Sequence, residues 1–341
     1  MKRAKLPVNR IAEVTGLSPA TVSRVINHPE IVNDETKERV EKAIREAGYD
    51  MDALTKRQAD SNKRIIVVAL PSIDNPFYNS VVKGIKTSAH NHNYEVLIYM
   101  GNITQSTVGQ FFDVLKMSSA RGVISISRKL DTDVADRIDG ELPFVQCCEY
   151  NALSRATYVS INDYASAKTA TEYILNMNYR RVAFINGPLS FNYAIERQKG
   201  FESALQERGI IIPNNWKISV PEVSYSLGYS AASQLLGSKE RPDAIFCAAD
   251  VFAISVIKAA KRYSLRVPED LGVVGFDNIE VVSVINPGIT TINQPSYQLG
   301  FTAGETLFEK IVDPRGRPRS ILLDTELIAR DSIVPFVNEK L

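Results

Sequence analysis

No apolar run in this chain reaches the roughly 20 residues a helix needs to cross a bilayer, and no apolar segment follows the basic residues near Met1. Those absences point away from a membrane-spanning or secreted protein and toward the cytoplasm. Cysteine is scarce: Cys147, Cys148 and Cys247 are an odd number without metal-ligand spacing. Neither a disulfide framework nor a structural metal organises such a fold, which again fits a reducing compartment. The three histidines (His28, His90, His92) make no triad or metal pattern. No G-x-G-x-x-G or P-loop follows the first strands, so a nucleotide-dependent enzyme would lack its phosphate cradle. A G-x-S-x-G elbow is missing too. The sequence reads as a non-enzyme with no cofactor and no metal.

Net charge is also lacking, because 40 Lys and Arg balance 39 Asp and Glu to give +1. The balance conceals an asymmetry. Between Met1 and Asn27, Lys2, Arg3, Lys5, Arg10 and Arg24 stand against Glu13 alone. A basic edge therefore rests on a neutral molecule, as a contact with nucleic acid would require.

At 341 residues, 44% of them hydrophobic, the chain is long enough for two or three units with their own cores. From Lys63 onward, apolar runs alternate with helical periodicity. "RIIVVAL" (64–70), "YEVLIYM" (94–100), "GVISIS" (122–127) and "PFVQCC" (143–148) read as buried parallel strands. A second series begins near Asp163, with strands at 180–187, 216–220, 243–249 and 271–276 and helices between them. Two runs of strand–helix units predict an α/β core of two doubly wound lobes. Ligands of such lobes bind beyond the carboxyl ends of the strands, here in the cleft between lobes.

The first 49 residues hold no strand signal. In "VNRIAEVTGLSPATVSRVIN", Asn9 is placed to cap a first helix with Val8, Ile11 and Ala12 inward, and Gly16 supplies a turn. Ser18 before Pro19 is a hydroxyl N-cap followed by a ring at the first helical position. Val22, Val25 and Ile26 form the buried stripe of the second helix, leaving Ala20, Thr21, Ser23 and Arg24 outward. "DETKERVEKAIREAGY" adds a third helix with Val40, Ala43, Ile44 and Ala47 on one face. This is a helix-turn-helix, whose second helix lies in the major groove. Short side chains at its start allow close approach, and Arg24 has the reach and fork for a guanine.

The stretch "VNRIAEVTGLSPATVSRVINHPEIVNDETKERVEKAIREAGY" resembles the headpiece of the LacI/GalR repressor family. "NPFYNSVVKGI", "RQKGFESAL", "VPEDLGVVGFDNIEVV", "PGITTINQP" and "ELIARDS" are similar to that family's recurring segments, in the same order, so the resemblance spans essentially the whole chain. It implies a headpiece over 1–49, a hinge over 50–62, and a two-lobed core over 63–341 similar to periplasmic binding proteins. Lobe one would take about 63–162 and 291–320, and lobe two about 163–290 and 321–341. It also implies a homodimer on double-stranded operator DNA, controlled by a small-molecule effector.

Carried onto this sequence, the resemblance places Pro19 and Ala20 at the operator-discriminating positions, and Thr21, Ser23, Arg24 and Asn27 at further base and phosphate contacts. The hinge departs from the family. Instead of Pro-Asn and then Ala-Arg-x-Leu after the tyrosine, Tyr49 is followed by Asp50, Met51 and Asp52, and later by Thr55, Lys56, Arg57 and Gln58. Lys56 and Arg57 can follow phosphates, but Gln58 is a poor minor-groove wedge, so a weaker bend is expected. By the same resemblance, Arg197 and Asp277 bind effector hydroxyls and Phe77 stacks on an effector ring. Glu149 and Asp250 sit at strand ends facing the cleft, Asp250 with helix capping as its alternative. Segments such as "LPSIDNPFYNSVVKGI" are similar to a nucleoside-responsive branch, implying an effector such as cytidine, with a sugar or sugar acid as the alternative. Val251, Phe252 and Ile254, with helix 77–92, are expected at the dimer face by the same analogy.

Overall fold

Two short helices meet at Gly16, whose φ of +61° places it in the left-handed region that glycine adopts at low cost. They are α1 (Val8–Thr15) and α2 (Pro19–Asn27), and α3 (Asp34–Glu46) closes over them. The computed structural model describes residues 8–27, 31–47, 64–127, 130–314 and 316–336, which fall into two units divided between Arg64 and Ile65. Ile11, Ala12, Val22, Val25, Ile26, Val40, Ala43 and Ile44 are the core of the first unit. The Ser18 hydroxyl accepts from the Thr21 N–H at 3.1 Å, and Asn33 caps α3 through the Thr36 N–H at 2.9 Å. Two sequence expectations fail here. Asn9 is the second residue of α1 rather than its cap, and Ala47, one residue past the end of α3, is exposed.

In the second unit, β1 (Arg64–Leu70), β2 (Tyr94–Met100), β3 (Ala120–Ser125), β4 (Phe144–Cys147), β5 (Thr157–Ile161) and β11 (Ser320–Leu323) make one sheet, ordered β11-β5-β4-β3-β1-β2. Another joins β6 (Val182–Asn186), β7 (Lys217–Ser219), β8 (Ala244–Cys247), β9 (Gly272–Asp277), β10 (Thr290–Asn293) and β12 (Glu326–Ile328), ordered β12-β10-β9-β8-β6-β7. The first five strands of each lobe repeat one order, and β6 to β10 pair in parallel throughout. Helices α4 (Phe77–Asn91), α5 (Val108–Met117), α6 (Thr132–Glu141) and α11 (Ser296–Val312) serve the first sheet. The second has α7 (Asp163–Asn176), α8 (Asn192–Glu207), α9 (Tyr225–Leu236) and α10 (Asp250–Arg262).

The chain crosses between lobes three times. The first crossing lies between β5 and α7. In the other two, β10 hydrogen-bonds into the second sheet and β11 into the first, so the crossings lie at 294–295 and 324–325, against expected lobe limits near 290 and 320. Strand pairing decides the boundary, and neither short strand had a periodic signal of its own. Val251 and Phe252 are also displaced from their expected dimer face. Both are buried in the core of the second lobe, because α10 turns them toward the sheet, and Ile254 packs against the same core.

Helices α4 and α11 touch backbone to backbone. A Cβ on Gly300 would lie 1.9 Å from the Val81 carbonyl oxygen, and one on Gly84 would lie 2.1 Å from that of Tyr297. This contact fixes the angle of α4, whose first residues, Phe77 and Tyr78, enter the cleft.

Candidate DNA-reading helix and effector cleft

On α2, Pro19, Ala20 and Arg24 are exposed, while Thr21 and Ser23 are half-buried. Ala20 and Arg24 are one helical turn apart, so a short side chain and a long cation share a face. The Thr21 hydroxyl lies 2.9 Å from that of Ser18, tying it to the helix start. Asn27 ends the helix; its side chain, and Lys56 and Arg57 entirely, lie outside the described residues.

The cleft is lined from the carboxyl ends of strands in both lobes. Cys148 and Glu149 follow β4, Asp163 follows β5, Ala248 and Ala249 follow β8, Asp277 ends β9 and Gln294 follows β10. With Phe77, Tyr78, Tyr193 and Arg197 they enclose a cavity of about 30 Å³. It adjoins a mouth of about 300 Å³ with which it shares Asn75, Tyr78, Tyr193 and Val223.

Arg197 is the hub. Its Nε donates to Asp163 at 2.8 Å, one terminal nitrogen donates to the Ala248 carbonyl at 2.6 Å, and the same nitrogen is 3.7 Å from Asp277. The guanidinium also lies 3.5 Å from the centre of the Phe276 ring and 4.7 Å from that of Tyr193. Burial opposes its charge, but Asp163 and Asp277 outweigh that and hold it protonated. Burial raises Asp163 despite the arginine, and raises Asp277 to about 7. Gln294 donates to Asp277 at 2.6 Å.

Glu149 bridges the cleft. Helix α8 begins after Phe191, which has no side-chain cap to offer. The missing acceptors come from the other lobe: the Glu149 carboxylate takes the N–H of Asn192 at 2.7 Å and that of Tyr193 at 3.0 Å. Burial still outweighs those bonds and lifts Glu149 to about 8.

The structure thus gathers Phe77, Glu149, Arg197 and Asp277 around one cavity, and leaves Asp250 out of it. Asp250 is fully buried behind β9 and β10, accepting from Thr291 at 2.7 Å and from the Ile279 N–H at 2.9 Å. It neither faces the cavity nor supplies the N-cap of α10, a position held by Ala249. Through Ile279 it braces the loop that follows Asp277, the last residue of β9, whose φ of +118° is unusual for a residue with a side chain. The sequence reading missed Tyr78, Asp163, Tyr193 and Gln294. Periodicity gave a clue to the first: Phe77, Val81, Ile85 and Ala89 form the buried stripe of α4, so the residue beside Phe77 had to point elsewhere.

A helix-turn-helix unit and a two-lobed core with a polar cavity at its strand ends are the parts of a regulator of transcription. A family model for bacterial regulatory proteins of the lacI family matches residues 9–52, and one for periplasmic binding protein-like domains matches 171–333. The chain is 32% identical over 317 residues to the HTH-type transcriptional repressor CytR of Escherichia coli K12, covering 93% of each. It is 28% identical over 332 residues to the HTH-type transcriptional repressor PurR of Photobacterium profundum, covering 96% of this chain and 98% of that one. The lac repressor dimer bound to operator has the same fold, with a TM-score of 0.79 at 24% identity over 97% of this chain and all of that one. The chain belongs to the LacI family of DNA-binding transcriptional repressors.

Proposed function

We propose that α2 reads an operator half-site and that a nucleoside such as cytidine, held between the lobes, sets operator affinity. The cleft carries the reading: the rings of Phe77, Tyr78 and Tyr193 stand beside the Arg197–Asp277 pair, an apolar wall for a base next to polar groups for vicinal hydroxyls. A sugar uses the same polar pair and is the second reading. The 30 Å³ cavity is far below the several hundred of a typical ligand site, so the lobes must part to admit either. That movement is the two-state element to which operator affinity is coupled. Lys56 and Arg57 would follow the DNA backbone, and residues 1–49, 50–62 and 63–341 would act as headpiece, hinge and core. Nothing in this scheme requires catalysis or a cofactor.

Two-fold operators call for two headpieces, hence a homodimer. Edge strand β2 exposes Ile98 and Met100 on one face and Leu97 on the other, apolar side chains on a sheet edge suited to self-association. A monomer in sedimentation equilibrium at micromolar concentration would remove this part.

A thermal-shift screen of the full chain against nucleosides, nucleobases and sugars tests the effector. At ~100 times its dissociation constant, the effector stabilises the fold by about 2.7 kcal/mol. A response to sugars alone would overturn the nucleoside. Separately, Arg24→Ala should weaken operator binding by about 1–3 kcal/mol and relax base preference at one position. Unaltered selectivity across an operator library would contradict the placement of α2.

A further inference from the structure

We infer that the cleft refuses anions, so that its effector is an uncharged molecule distinguished from its own phosphorylated or carboxylated forms, with Glu149 as the residue that enforces the distinction. The inference rests on the reading that the effector binds between the lobes, and it narrows the class of ligand.

Charge on the cavity walls is lopsided. Asp74, Glu149, Asp163, Glu222 and Asp277 line the cavity and its mouth, and among the described lining residues Arg197 is the only Lys, Arg or His. Arg197 also stands between two of those carboxylates, bonded to Asp163 at 2.8 Å and 3.7 Å from Asp277, so its single charge is already balanced. A phosphate would add negative charge beside one guanidinium that already balances two carboxylates, and a buried anion without a cation of its own is strongly disfavoured.

One position would suit an anion: the first N–H groups of α8, where the helix dipole favours negative charge. Glu149 already occupies it, with a carboxylate oxygen on each of the two N–H groups. Its side chain comes from the opposite lobe, so the position is filled by the closed cleft itself. The walls tolerate negative charge poorly in any case. Burial raises both Glu149 and Asp277 toward neutrality, so the site resists its own carboxylates before any ligand adds another. A hydroxyl meets the opposite situation. It can donate to Glu149 or Asp277 and accept from the α8 N–H groups as the lobes part.

Calorimetric titration of the full chain with two matched pairs, cytidine with cytidine 5′-monophosphate and ribose with ribose 5-phosphate, tests the selectivity. The phosphorylated member should bind at least about 100-fold more weakly than a parent that binds. Equal or tighter binding of either phosphate would overturn the inference. A second arm needs no effector: thermal unfolding with inorganic phosphate against chloride at matched ionic strength. The wild-type chain should show no saturable stabilisation. Glu149→Ser, which bares both N–H groups, should gain one. Saturable stabilisation of the wild type would refute the exclusion, and a folded Glu149→Ser that gains nothing would refute the role of Glu149. If that variant does not fold, Glu149→Gln replaces it, and its preference for cytidine over the monophosphate should fall at least about tenfold; an unchanged preference would refute the role. Should neither cytidine nor ribose bind, the nucleoside and sugar readings fall, and the phosphate arm decides the anion question alone.

Discussion

Replacing Arg197 by alanine is expected to abolish the effector response and to lower the stability of the core by about 3–5 kcal/mol. Both effects have one origin. Arg197 is 4% exposed and stands between Asp163 and Asp277, each equally hidden from water. Truncation leaves two buried carboxylates without their cation and the Ala248 carbonyl without its donor. Each must then take up a proton or move toward solvent, and either distorts the cavity wall. Arg197→Lys keeps the charge and loses the fork that serves Asp163 and Ala248 together, so it should recover only part of the stability.

Urea unfolding of the full chain reads the first effect, and operator binding by fluorescence anisotropy, with and without effector, reads the second. The headpiece forms its core from its own residues, so operator affinity without effector should stay within a few-fold of wild type. An Arg197→Ala chain of wild-type stability would show that the buried network is not what holds the lobe together. A variant that still responds to effector would remove Arg197 from the site.

How far the sequence carried the argument depended on the kind of signal. The helix-turn-helix was legible because each part is local: a glycine turn, a Ser-Pro start and apolar stripes at helical spacing, all within one short segment. Strands β1 to β4 were legible as runs buried on both faces. β5, β10, β11 and β12 were not. Thr and Ser interrupt β5 and β10, while β11 and β12 are partly exposed, so none is the continuous apolar run that marks β4 and β8, and their place is set by pairing partners far away in sequence. Phe77, Arg197 and Asp277 were read from resemblance and Glu149 from its place at a strand end, and the four line one cavity. Asp250 shows the limit of that reasoning. A carboxylate at a strand end can face the cleft or turn back beneath the next loop, and Gly275 settles the matter here, since any side chain there would strike Asp250. Asp163 was missed for a related reason: as the first residue of a helix, it carries the ordinary signature of a favourable charge at a helix start.

The core should lose stability as pH rises from about 5 to about 8. In the folded chain Glu149 titrates at about 8 and Asp277 at about 7, against ordinary values of 4.5 and 3.8. Burial is the main cause for both, and the α8 N–H groups, Arg197 and Gln294 only partly offset it. A group that binds its proton more tightly when folded contributes stability that is complete below its unfolded value and is lost as pH climbs through its folded value. The opposite dependence belongs to carboxylates such as Asp270, held near 2 by Arg266, and is finished well below pH 5. Asp250, behind the cavity, is also raised well above the ordinary carboxylate range by burial, so substitutions of Glu149 and Asp277 are what assign the fall to the cleft. Thermal unfolding at three pH values across it should give a falling midpoint for the wild-type chain, and a flatter profile for Glu149→Gln and for Asp277→Asn, each of which removes one of the two protons. A wild-type midpoint that holds steady, or variants that decline as steeply as wild type, would mean that neither carboxylate keeps its proton in the closed cleft. The same linkage makes opening of the lobes release protons near neutral pH, so whatever parts Glu149 from α8 should bind with a pH dependence that Glu149→Gln abolishes.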